Sequence, residues 1–137
     1  MTNDSDRSRA TETLTDTTML EFASVLDDYL GEEAVDNQGW PIGTLTCYWK
    51  SASGNVILLG ITVNGQQSVR VVPGRPSQVD ERNSCIRLEF GTDAVRSAPQ
   101  FDCADELDKA FERSVYDHFH LTETEPEGGL RYFGRRS

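Results

Sequence analysis

The chain has 137 residues, with 23 acids against 13 Lys and Arg and a formal charge of -10. A domain of this length can bury a core without disulfides or metals, and a sequence pI of about 4.5 argues against a nucleic-acid binder of the ordinary basic kind. Eleven of the cations are Arg and only Lys50 and Lys109 are Lys. That composition suits a high-GC genome or a salt-filled, halophilic cytoplasm, where acidic surfaces keep chains soluble by repulsion.

Residues 1–18 (MTNDSDRSRATETLTDTT) carry only Met1, Ala10 and Leu14 as apolar side chains. They bury too little surface to offset ordering, so a disordered polar arm is expected. The arm has no apolar h-region and does not read as a signal peptide. Residues 19–121 are expected to form a single α+β domain, and residues 122–137 a tail that is first acidic, then basic and aromatic.

Thr18 and Glu21 make a capping box, and Met19, Phe22, Ala23, Leu26 and Leu30 repeat at helical spacing. Gly31 is placed to end that helix. Residues 37–43 (NQGWPIG) read as a turn-rich connection. Residues 43–50 alternate, with Leu45, Cys47 and Trp49 on one face and Thr44, Thr46, Tyr48 and Lys50 on the other. Residues 55–63 are apolar on both faces, as a central strand is. Asn64-Gly65 predicts a tight type I′ hairpin, with a return strand over 66–72 ended by Pro73. The loop PGRPSQVDER then leads to a fourth strand over 83–90, where Ile86, Leu88 and Phe90 alternate with Cys85, Arg87 and Glu89. A second helix is expected from the N-cap Asp102, with Leu107, Ala110, Phe111, Ser114, Val115 and His118 as its inner stripe. Residues 130–133 can add a short edge strand.

The expected architecture is α+β: an N-terminal helix, a four-stranded antiparallel sheet (a three-strand meander plus one), and a C-terminal helix packed on one face. The longest apolar run, residues 56–59, is far too short to span a bilayer. No membrane partner is therefore expected.

The charge distribution is uneven. No acid occurs between Asp36 and Asp80, so residues 37–79 carry +3 while residues 19–36 carry -6. Burial and the low strand propensity of Asp and Glu account for part of this gap. The outward set Thr44, Thr46, Tyr48, Gln66, Gln67, Ser68 and Arg70 is less well explained, because such positions tolerate Glu. A docking surface would exclude acid there, and Thr46, Tyr48, Lys50, Gln67, Arg70 and Arg75 are its candidate partner-binding residues. Arg75 sits between two prolines in PGRP, in what is otherwise an ordinary turn. The tail RYFGRRS offers a second set for nucleic acid or phosphate: Arg131, Tyr132, Phe133, Arg135 and Arg136. Its blander reading is a basic end that partners the protein's own acidic helices.

Candidate chemistry is sparse. Cys47, Cys85 and Cys103 lie far apart without a CxxC, as reduced thiols in a cytoplasm would. Asp117–His120 (DHFH) is the stretch closest to a metal or general-base site. On a continuous helix, however, positions i and i+2 point about 200° apart and cannot share an ion. His118 falls on the apolar stripe as a core or helix-end residue. No GxSxG, HExxH, GxGxxG or P-loop pattern occurs, and no cofactor or metal is expected. The leading expectation is a non-enzymatic protein-interaction module (adaptor, chaperone-like or regulatory) that docks a protein partner or a second copy through the acid-free sheet. The alternative is a nucleic-acid or phosphate binder using the basic meander and the Arg/aromatic tail. A small enzyme built around His118 ranks third.

Overall fold

The computed structural model describes residues 25–54, 56–74, 77–101 and 106–134. The sheet is built around one long strand, β2 (Pro41–Lys50). On one side β2 pairs antiparallel with β3 (Ile57–Val63), from Gly43↔Val63 to Lys50↔Ile57. On the other side the first half of β2 pairs with β1 (Glu33–Val35) and the second half with β7 (Arg131–Gly134). β4 (Val69–Pro73) extends the sheet beyond β3. β6 (Cys85–Arg87) runs parallel to β1, and β5 (Gln78–Asp80) pairs antiparallel with β6. The order is β4-β3-β2-β1-β6-β5, with β7 also alongside β2.

This corrects the expected four-stranded antiparallel sheet: the protein has one mixed sheet of seven strands and only short helices. The missed strands are β1 and β5, each three residues long, while the fourth strand expected over 83–90 is present as the shorter β6 and pairs parallel to β1. Three residues carry almost no period-2 signal, and pairing rather than propensity makes them strands. The expected N-terminal helix is also corrected. Of the described residues in its expected span only 25–29 are helical (α1), and residues 19–24, like the arm 1–18, lie outside the described residues. Gly31 does end α1, at a φ of 92°.

The predicted type I′ turn is absent, because only Gly65 of the Asn64-Gly65 pair has positive φ, at 84°. Gln66 N–H bonds to Val63 O at 2.9 Å, and the return strand begins only at Val69. A helix not expected from sequence, α2 (Thr92–Arg96), follows β6. The C-terminal helix, α3 (Lys109–His118), starts later than expected. Its N-cap is Asp108, whose carboxylate accepts from Phe111 N–H at 2.9 Å, while the expected cap Asp102 lies outside the described residues. Its inner face is Phe111, Glu112, Val115, Tyr116 and Phe119, whereas Ala110 and Ser114 are exposed. The expected stripe is rotated because an acid, Glu112, lies on the buried face.

β3 is buried at every position but Thr62, which accounts for acid-free sequence in the centre of the sheet. Gly60 is required there: a Cβ would collide with Cys47 Sγ and Val69 Cγ1, beneath the Trp49 indole. Trp49 meets Phe101 edge-on at 5.9 Å, and Phe101 meets Phe111 of α3 at 5.0 Å. The outer edge of β4 is closed by residues 99–101, with Val71 N–H to Pro99 O at 2.9 Å and Phe101 N–H to Val69 O at 3.1 Å.

The connection from β1 to β2 is set by a buried carboxylate. Asp36 Oδ1 accepts the N–H groups of Gln38 and Trp40, both at 2.9 Å, and Oδ2 accepts the Thr92 hydroxyl at 2.6 Å. Burial pushes the Asp36 carboxyl up, but the Thr92 hydroxyl and the Trp40, Gln38 and Gly39 backbone bonds outweigh it, leaving its pKa below the ordinary 3.8. Asp36→Asn is expected to lower stability at neutral pH by about 1–2 kcal/mol, read by urea unfolding. The carboxylate's contribution is present above the ordinary pKa and is lost as pH falls through the lower folded-state value, so the gap between parent and variant should close in acid. A gap that widens below pH 4 would contradict this assignment.

Candidate functional site

β7 reaches β2 because a second buried carboxylate carries the chain there. Glu112, with 0% exposure on α3, accepts through Oε1 from the N–H groups of Glu127 at 2.9 Å and Gly128 at 2.8 Å. Its Oε2 accepts the Tyr116 hydroxyl. Burial, then the bond to Glu112, raises the Tyr116 phenol. Gly128 and Gly129 both take positive φ, 73° and 59°, a turn that side chains would resist. The turn delivers Leu130 to Leu107, where the two residues exchange backbone bonds of 2.9 and 3.0 Å.

The register that follows places Lys50 opposite Arg131, Tyr48 opposite Phe133, and Trp49 opposite Tyr132. Directly opposite residues share a face, so Lys50, Arg131, Tyr48 and Phe133 form one corner and Tyr132 turns away to Trp49. The rings of Tyr48 and Phe133 stack at 5.1 Å and 12°, and Lys50 Nζ lies 5.2 Å from the Phe133 centroid. The Tyr48 hydroxyl donates to Asp27 Oδ1 at 2.9 Å. Burial, then that carboxylate, pushes its phenol pKa up. Two cations facing each other across a ladder repel. Among the described residues neither Lys50 nor Arg131 has an ion-pair partner, although the chain has ten more acids than bases.

The sequence candidates therefore divide. Tyr48 and Lys50 from the first set meet Arg131 and Phe133 from the second. Tyr48 is not outward but 3% exposed. Thr46 is the extra residue of the β2 bulge and bonds to the Thr62 hydroxyl at 2.6 Å. Arg70 is committed to Ala98 O at 2.8 Å and Gln66 Oε1 at 3.0 Å. Gln67 is exposed in the turn before β4, away from the corner. Arg75, Arg135 and Arg136 lie outside the described residues. Sequence reasoning missed Asp36, Glu112 and Trp40. The first two are acids that no local pattern marks as buried, and the third is a Trp-Pro step in a turn.

DHFH does not converge. His118 Nε2 lies 2.9 Å from Ala94 O and 3.3 Å from Ser97 Oγ, tying α3 to α2. Donation to that carbonyl requires the proton on Nε2, which removes this nitrogen from metal binding. His120 is exposed at a φ of 62°, just past the helix. No group of three metal-ligating side chains occurs among the described residues. Burial pushes the Cys47 thiol up to about 12, far from a reactive thiolate.

Glu112→Gln replaces one acceptor oxygen by a donor facing N–H groups or a hydroxyl. It should lower stability by about 3 kcal/mol and speed amide exchange over residues 127–134 more than in β3. Equal acceleration in both regions would show that Glu112 does not specifically hold the C-terminal segment. Cys47 should resist iodoacetamide at pH 8 until the protein is unfolded, and rapid alkylation of the native state would contradict its burial.

In the comparisons with known proteins, no family model, curated protein or solved structure matches this chain.

Proposed function

We propose that the chain is a non-enzymatic interaction module of the cytoplasm, which docks an acidic protein partner on the β2–β7 corner. The observation that carries this reading is the in-register pair Lys50–Arg131, two cations that form no ion pair among the described residues. An acidic side chain placed between them removes their repulsion and gains two attractions, so the differential interaction is large for so small a surface. Among the described residues β7 pairs only with β2, and an extended segment added to its other side would carry its acids to this corner.

The meander itself is a weaker docking surface than its acid-free sequence suggests. β3 is covered on both faces, and residues 99–101 close the β4 edge. Stacking of a nucleic-acid base on Phe133 is disfavoured because Tyr48 already stacks against that ring and Lys50 lies over it. A second copy can serve as the acidic partner. The Tyr29 phenol, raised first by burial and then by Glu81, Asp28 and Asp80, marks an acidic surface around α1 and the β5–β6 hairpin.

The probe is a fluorescein-labelled decapeptide of alternating Glu and Val, titrated into the full chain and followed by anisotropy. Saturable binding that falls roughly tenfold in Arg131→Glu, and falls again as KCl is raised, is expected. Native mass measurement at low salt tests the second-copy form. Failure of the peptide to bind, with monomers throughout, would overturn the reading. Preferential binding of a single-stranded oligonucleotide at the same corner would replace it by phosphate recognition.

A further inference from the structure

The loop between β1 and β2 is held far more tightly than its burial requires. Each backbone N–H from Asp36 to Trp40 is hydrogen-bonded. Asp36 N–H bonds to Trp40 O at 2.9 Å, Asn37 N–H to Phe90 O at 3.1 Å, and Gly39 N–H to Asp36 O at 3.0 Å. The remaining two go to the Asp36 carboxylate, both at 2.9 Å. Gly39 makes the turn at a φ of 89°.

This ordering buries almost nothing of the loop itself. Residues 37–41 are all exposed, and Trp40, at 65% exposure, is the exposed large hydrophobic side chain among the described residues. A buried carboxylate is a costly device to spend on a loop that adds no side chain to the core. Its effect is to fix the backbone that carries one indole into solvent. Pre-ordering of that kind lowers the entropic cost of association, and Trp and Arg are the side chains that most often dominate interface energies.

An Arg is present. Arg87 Nη2 donates to Asn37 O at 2.8 Å, and Val35 is in register with both Pro41 and Arg87. The exposed guanidinium is thus pinned to the same loop by one N–H, and its other donors have no partner among the described residues. The loop contributes no acid, since residues 37–41 contain none and both Asp36 oxygens are occupied.

We infer that Trp40 and Arg87 form a preorganised anchor for a protein segment that places an apolar side chain on the indole and a neighbouring carboxylate on the guanidinium. This anchor is independent of the β2–β7 corner and does not rest on the reading of that corner.

The test uses the full chain and a display library of random dodecapeptides. Enriched peptides are resynthesised with a fluorescein label and titrated by anisotropy, a signal that does not depend on Trp40. Peptides pairing an apolar residue with Asp or Glu should be enriched. Their affinity should fall at least tenfold in Trp40→Ala and in Arg87→Ala, and stay unchanged in Arg131→Glu. Trp40→Ala should leave the melting temperature nearly unaltered because the side chain is exposed, which separates lost binding from lost fold. No enrichment, or peptides that bind Trp40→Ala as well as the parent, would overturn the anchor. So would peptides that lose affinity only in Arg131→Glu, or a preference of the indole for oligosaccharides over peptides.

Discussion

A strand has two edges, and β2 must satisfy three partners with them. β3 takes one edge along almost its whole length, so β1 and β7 share the other, one on each half. The arrangement of the rest of the sheet follows from that division. β1 brings β6 and β5 with it on one side, while β7 can pair only if the C-terminal segment is carried past α3 to the far half of β2. The register shift between Leu45 and Cys47 lies near the middle of the strand, between its two halves. A bulge there increases local twist and bends the strand, which helps one strand serve neighbours coming from different directions.

Both connections that make this sharing possible are organised by buried carboxylates. Asp36 gathers amides of the β1–β2 loop and the Thr92 hydroxyl; Glu112 gathers amides of the loop before β7 and the Tyr116 hydroxyl. Among the described residues neither is paired with a cation. A carboxylate with its oxygens filled by N–H and O–H donors can be buried without a counter-ion. It orders irregular backbone that has no ladder to belong to. The Arg and Lys side chains are thereby left for other uses.

The central meander was legible because its strands are long and its apolar pattern follows burial. β2 and β3 appear close to where alternation and the continuous apolar run placed them, and the short C-terminal strand is present as β7. What was hidden depends on partners distant in sequence. Glu33–Val35 gains strand character from Gly43 and Ile86, not from its own composition. Glu112 reads as a solvated helix position until the loop at Gly128 is brought over it. The candidate site was legible as residue types but not as a place. Lys50 and Arg131 are both visible cations, yet only the β2–β7 register makes them neighbours. Arg70, an equally good candidate by type, is committed to the backbone of residue 98.

The Lys50–Arg131 pairing also has a thermodynamic consequence for the sheet. Strand β7 docks against its own electrostatic gradient, so part of the favourable pairing energy with β2 is cancelled within the fold. An anion that occupied the corner would restore that energy, and by reciprocity whatever tightens β7 would raise affinity for the anion by the same factor. Local frustration of this sort makes the C-terminal strand the natural coupling element of the molecule. Glu112 ties the segment before β7 to helix α3, so a charge bound at this edge of the sheet would draw on contacts that reach that helix.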